Sequence, residues 1–104
     1  MTITDKQINQ YLNQFHINHA MSGYLFLMSA IRFQVEGTIP RGYMAGVYEM
    51  VADKHDTKPS YVENAIRDVL KRSDAKMSNK QFIVTAMDEL VFGSDEPDAG
   101  AGRG

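Results

Sequence analysis

Glu63, Asn64 and Arg67 are three polar side chains within one helical turn of each other. Arginine presents two parallel donors to the guanine edge, and asparagine a donor and an acceptor to adenine. The chemistry they suggest is base recognition by hydrogen bonding, with no bond made or broken. The same residues also allow a plain surface reading. An exposed Glu63–Arg67 pair four positions apart on a helix is worth only ~0.2–0.5 kcal/mol and needs no DNA.

The element that must position them lies in Tyr48–Arg72. Tyr48 to His55 reads as a short helix with Val51 and Ala52 inward. Asp56, Thr57, Lys58 and Pro59 break it, since proline cannot extend the helix behind it and biases the residue before it toward extended backbone. Ser60 is predicted as N-cap of a second helix, with Glu63 completing a capping box. Val62, Ala65, Ile66 and Val69 form its inward stripe, leaving Glu63, Asn64, Arg67, Asp68 and Lys71 outward. Two helices about a tight turn predict a helix-turn-helix over about residues 47–72, with recognition helix 60–72 lying in the major groove. Lys58, Ser60, Lys71 and Arg72 are the candidate phosphate contacts. Lys54 and Lys76 stand nearby and serve equally well as solubilising charges.

Composition excludes several alternatives. The chain has 104 residues, enough for one domain, with 43% hydrophobic and 23% charged residues. It has no cysteine, which removes disulfides, zinc–thiolate sites and a thiol nucleophile. No stretch nears the roughly 18 apolar residues of a membrane span, and MTITDKQINQ has no secretory-signal pattern. A soluble cytoplasmic protein is expected. It shows no glycine-rich phosphate loop or nucleophile motif, so no enzyme, cofactor or small-molecule substrate is expected. The net charge is −2, but unevenly spread: residues 1–52 are neutral, 53–80 carry +2 and 81–104 carry −4. The positive excess falls on the helix-turn-helix.

Elsewhere the periodicity is helical. Thr4 and Gln7 form a capping box for a helix over Asp5–Phe15, carrying Ile8, Leu12 and Phe15. A turn is expected near Asn18. YLFLMSAIRFQV, opening at Gly23, predicts a core helix with Leu25, Leu27, Met28, Ile31 and Val35 over a wide buried arc. Gly37–Gly42 is a loop, with Tyr43–Val47 leading into the helix-turn-helix. Ser73–Met77 connects to a last amphipathic helix, 79–92, capped by Ser78 and Gln81. The fold class is therefore all-α, about five helices over residues 1–92. Residues 93–104, poor in anything to bury, are expected to form a disordered acidic, glycine-rich tail. Tyr24, Phe26, Phe33, Tyr43, Tyr48 and the seven methionines read as core packing. His16 and His19 lack a nearby third ligand, so helix-end and loop packing is expected there and no metal.

Three blocks in order, GYLFLMSAI, VADKHDTKPSYVENAIRDVL and NKQFIVTAMDEL, resemble the DNA-binding effector domain of the sporulation initiation response regulator of endospore-forming Firmicutes. The resemblance implies an all-helical domain that binds double-stranded DNA as a tandem dimer. It also implies that Glu63, Asn64 and Arg67 face the bases. Glu63 and Arg67 keep the family's residue types, whereas Asn64 stands where the family has arginine and so implies a different target. Asp56 stands where the family has asparagine, and both tolerate a left-handed turn. The family's domain normally follows a phosphoacceptor receiver, and these 104 residues have no βα alternation to supply one. It also carries an additional helix, implicated in contacting RNA polymerase, where Ser73–Met77 is too short for one. Repression or an accessory role is thus expected over activation. Helix 79–92 is the candidate homodimer surface. The competing reading is a protein-interaction module that pairs with or titrates a full-length regulator of this type without binding DNA.

Overall fold

The computed structural model describes residues 3–93. Five helices follow in order: α1 (Asp5–Asn13), α2 (Ser22–Glu36), α3 (Met44–Lys54), α4 (Pro59–Lys71) and α5 (Asn79–Phe92). The all-α expectation holds, and no strand occurs among the described residues. The segment expected to be a disordered tail lies, beyond Gly93, outside them.

Local sequence explains most of the boundaries. At α1 the Thr4 hydroxyl accepts from Gln7 N–H at 3.2 Å while Gln7 Oε1 accepts from Thr4 N–H at 2.8 Å. Ser78 and Gln81 repeat this at α5, at 3.2 and 3.3 Å. Both satisfy donors that a helix start leaves free. Gly37 ends α2 in the left-handed region at φ 78°. The loop behind it is organised by a buried amide: Gln34 Nε2 donates to the Ile39 and Pro40 carbonyls, and Gly42 N–H donates to Gln34 Oε1 at 2.8 Å.

α2 is the hub, packing on every other helix. Its buried face is Tyr24, Leu27, Ala30, Ile31 and Gln34, flanked by Gly23 and Phe26. Two expectations fail here. Leu25 is 56% exposed, at a surface hollow it shares with Asp5, Arg32 and Lys54. Tyr43 is also exposed; its ring lies over Gly46 at the surface. α1 ends at Asn13, ahead of Phe15, which still joins Tyr11 and Phe82 in an aromatic cluster with ring centroids 5.2–6.0 Å apart. α3 begins at Met44, four residues before the predicted Tyr48, because the apolar periodicity runs back through Val47. Segment 73–77 has no helix, as its length dictates.

Candidate nucleic-acid interface

The turn between α3 and α4 is a Schellman motif closed by an aspartate. Asp56 takes φ 55°, Thr57 N–H reaches back to the Ala52 carbonyl at 2.9 Å, and Asp56 N–H to that of Asp53. A short polar side chain tolerates this conformation where a branched one would not. The N-cap prediction at Ser60 is wrong. The N-cap is Lys58, extended at ψ 146°, with Pro59 at the first helical position and no side-chain cap. Proline is pre-set for that position, so the residue before it becomes the cap and Ser60 moves inside the first turn. Glu63 is consequently free of capping and pairs instead with Arg67.

Offsets of three and four place Ser60, Glu63, Asn64, Arg67 and Lys71 along one face of α4. On it Arg67 Nη1 donates to Asn64 Oδ1 at 2.7 Å and Arg67 Nη2 to Glu63 Oε2 at 2.9 Å. The three candidate base readers thus form one interlocked, solvent-facing cluster. Lys58 and Ser60 stand at the opposite end of α4 from Lys71, a separation of ~20 Å at helical rise. Ser60 and Tyr61 carry N–H groups without an intrahelical acceptor, a cradle suited to an anion. Arg72 is apart from this face, roughly 140° round the helix from Arg67, and its Nε sits 3.3 Å from Asp68 Oδ1.

The inward stripe of α4 is Val62, Ile66, Val69 and Leu70, fully or almost fully buried. Ala65 is only half-buried. Its carbonyl is where α2 crosses, and a Cβ on Gly23 would stand 2.3 Å from that oxygen. A second anchor is Asn79, at the first position of α5. Its Nδ2 donates to the Glu63 carbonyl at 3.0 Å and to Tyr48 Oη at 3.2 Å, tying α5 to both helices of the motif. Burial raises the Tyr48 phenol pKa, partly countered by that bond, so the hydroxyl stays protonated. Sequence reasoning missed Gly23 and Asn79 as positioning residues, because only tertiary approach reveals them. It also left Lys80 unassigned. A groove of about 780 Å³ runs between α4 and the start of α5, walled by Glu63, Arg67 and Lys71 on one side and Lys76, Ser78 and Lys80 on the other.

His16 and His19 have ordinary partners. His16 Nδ1 is 2.6 Å from Asp74 Oδ2, and His19 stacks on Tyr24 at 4.0 Å. No helix among the described residues is long and apolar enough to cross a membrane.

Four helices around a central one, with a tight turn leading into a polar-faced helix, place the chain among helical DNA-binding domains. The family described as "Sporulation initiation factor Spo0A C terminal" matches residues 8–89, and the chain belongs to that family, one of DNA-binding regulatory effector domains rather than enzymes. A comparison with curated proteins finds no match.

Proposed function

We propose that the protein is a sequence-specific regulator of transcription that inserts α4 into the major groove of double-stranded DNA. Glu63, Asn64 and Arg67 read bases, while Lys58, Ser60, Lys71 and Arg72 hold phosphates. The observation that carries this reading is the Arg67-centred cluster, which gathers all three readers on the exposed face of a helix bolted to the core on its other side. Lys58 and the free N–H groups of Ser60 and Tyr61 suit a phosphate at one end of α4, and Lys71 suits one at the other. Arg72 must first leave Asp68, an exposed pair of little strength.

Selection from a random duplex pool tests the reading. Arg67→Ala should lose ~1–3 kcal/mol of discrimination at one base position. Equal weakening on selected and random duplexes would remove Arg67 from base reading.

A second reading is favoured by the end of α5. Phe92 is 69% exposed, the most exposed large hydrophobic side chain among the described residues. It suits a homodimer contact through helix 79–92, or pairing with a full-length regulator that is thereby titrated from DNA. α5 commits Phe82, Ile83, Ala86 and Leu90 to its own core, which narrows that surface to its outer edge and tip. Mobility shift at low salt, with size exclusion in parallel, separates the readings. A stable heterodimer without any DNA shift favours titration.

A further inference from the structure

We propose that the groove between α4 and the start of α5 seats one sugar–phosphate strand of the duplex, with Lys76 and Lys80 as its phosphate ligands. This rests on α4 being the reading helix. Arg67, Lys71, Lys76 and Lys80 line the groove against a single anion, Glu63. Arg67 is neutralised by Glu63, whereas Lys71, Lys76 and Lys80 have no ion pair among the described residues. Three uncompensated cations around one concavity repel each other, and a polyanion running through it relieves all three at once.

The position follows from the shape of DNA. A helix with its side chains is ~10–12 Å across and fills a major groove ~12 Å wide, so a phosphate strand passes along each flank of it. The flank of α4 facing α2 offers Met21, Ser22, Tyr61 and Asp68, and its one nearby cation, Arg72, is paired with Asp68. The flank facing α5 offers Lys76 and Lys80, both exposed. The strand held by charge therefore lies on the α5 side, directly beside Glu63 and Arg67. The groove floor is apolar, from Met44, Leu70 and Met77, a surface fit for deoxyribose faces between phosphates. Ser78 takes no part, because its hydroxyl and N–H are both engaged with Gln81.

The test is duplex affinity as a function of salt for wild type, Lys76→Gln/Lys80→Gln and Arg67→Ala, with ethylation interference on the selected duplex. The double lysine variant should weaken selected and random duplexes alike. Its log–log salt slope should fall by about 1.8, or 0.9 for each phosphate released. Ethylation at two phosphates of one strand should stop interfering. Circular dichroism melts matching the parent keep the comparison on folded protein. An unchanged slope and footprint, with wild type binding and Arg67→Ala losing preference, overturns the strand cradle and leaves base reading intact. Wild type binding no duplex at low salt overturns both. Amide shifts at Lys76 and Lys80 produced by an acidic, apolar peptide but not by duplex would also overturn it, giving the groove to a protein partner.

Discussion

Arg67 is held ready but occupied. Its fork already spans Asn64 and Glu63, so reaching guanine with both donors means releasing at least one of them. The release is mild, since an exposed helical pair is worth ~0.2–0.5 kcal/mol against the ~1–3 kcal/mol of a good bidentate base contact. Asn64 has two duties here: it steadies Arg67, and its own amide matches adenine. Asn64→Arg should therefore move the preferred base at one position from adenine to guanine, read by selection from a random pool. It should also broaden the neighbouring position, because Arg67 loses a partner. Retention of the wild-type consensus would mean that Asn64 faces away from the bases. Position 64 stands out in the sequence because its residue type departs from the family at a point the pattern aligns. Glu63 was misassigned to capping because Ser60 and Pro59 both signal a helix start. Proline wins by fixing φ at the first helical residue, whereas serine at the second position has no cap to make.

At the scale of elements, the placement of α4 depends on two contacts that periodicity does not announce. Gly23 lets α2 cross against the Ala65 carbonyl, and a methyl there would also stand 2.9 Å from Val69 Cγ1. Gly23→Ala should destabilise the fold by ~1–3 kcal/mol, as overpacking does, measured by urea unfolding. The displaced partner is helix backbone, so α4 shifts as a unit and affinity for DNA should fall with stability. An unchanged midpoint would show that the crossing has slack. Asn79 works from the other side. Asn79→Ala would remove the donor shared by the Glu63 carbonyl and Tyr48 Oη and leave a buried hydroxyl without that partner, at ~1–3 kcal/mol. Loss of that size with Tyr48→Phe/Asn79→Ala closer to wild type would confirm the bond as the cause. The helices, their loops and two of the three expected capping boxes were legible because each is a local preference of a few adjacent residues. Leu25 and Tyr43 were misplaced because hydrophobicity reports affinity for a core but does not say which side of a helix meets a neighbour.

For the whole molecule, charge and acidity set the working conditions. Excess positive charge falls on residues 53–80, the stretch that holds α4, and would draw that helix toward phosphates. Acid sensitivity should come from His55, which ends α3 just before the Asp56 turn. Its Nε2 is 2.9 Å from the Oγ of buried Ser29 on α2, and the Phe26 ring stands edge-on at 5.1 Å. The adjoining surface hollow holds Asp5, Arg32 and Lys54. Burial, and then the Lys54 charge, pull the imidazole below its ordinary value of 6.5. The unfolded chain thus binds the proton more readily than the folded one over the window just below 6.5. Stability is fully present above that value and falls as pH drops through the folded pKa. Urea midpoints should decline from about pH 7.5 to about pH 5.5, a range above the titration of ordinary carboxylates. His55→Gln keeps an amide for Ser29 but cannot titrate, so its midpoint should be flatter across the same range. A parent midpoint that rises on acidification, or a glutamine variant that declines as steeply, would place the sensitivity elsewhere. Because His55 joins the end of α3 to α2, its protonation should loosen first the entry to the turn that aims α4. Loss of DNA affinity should then begin at a higher pH than global unfolding does.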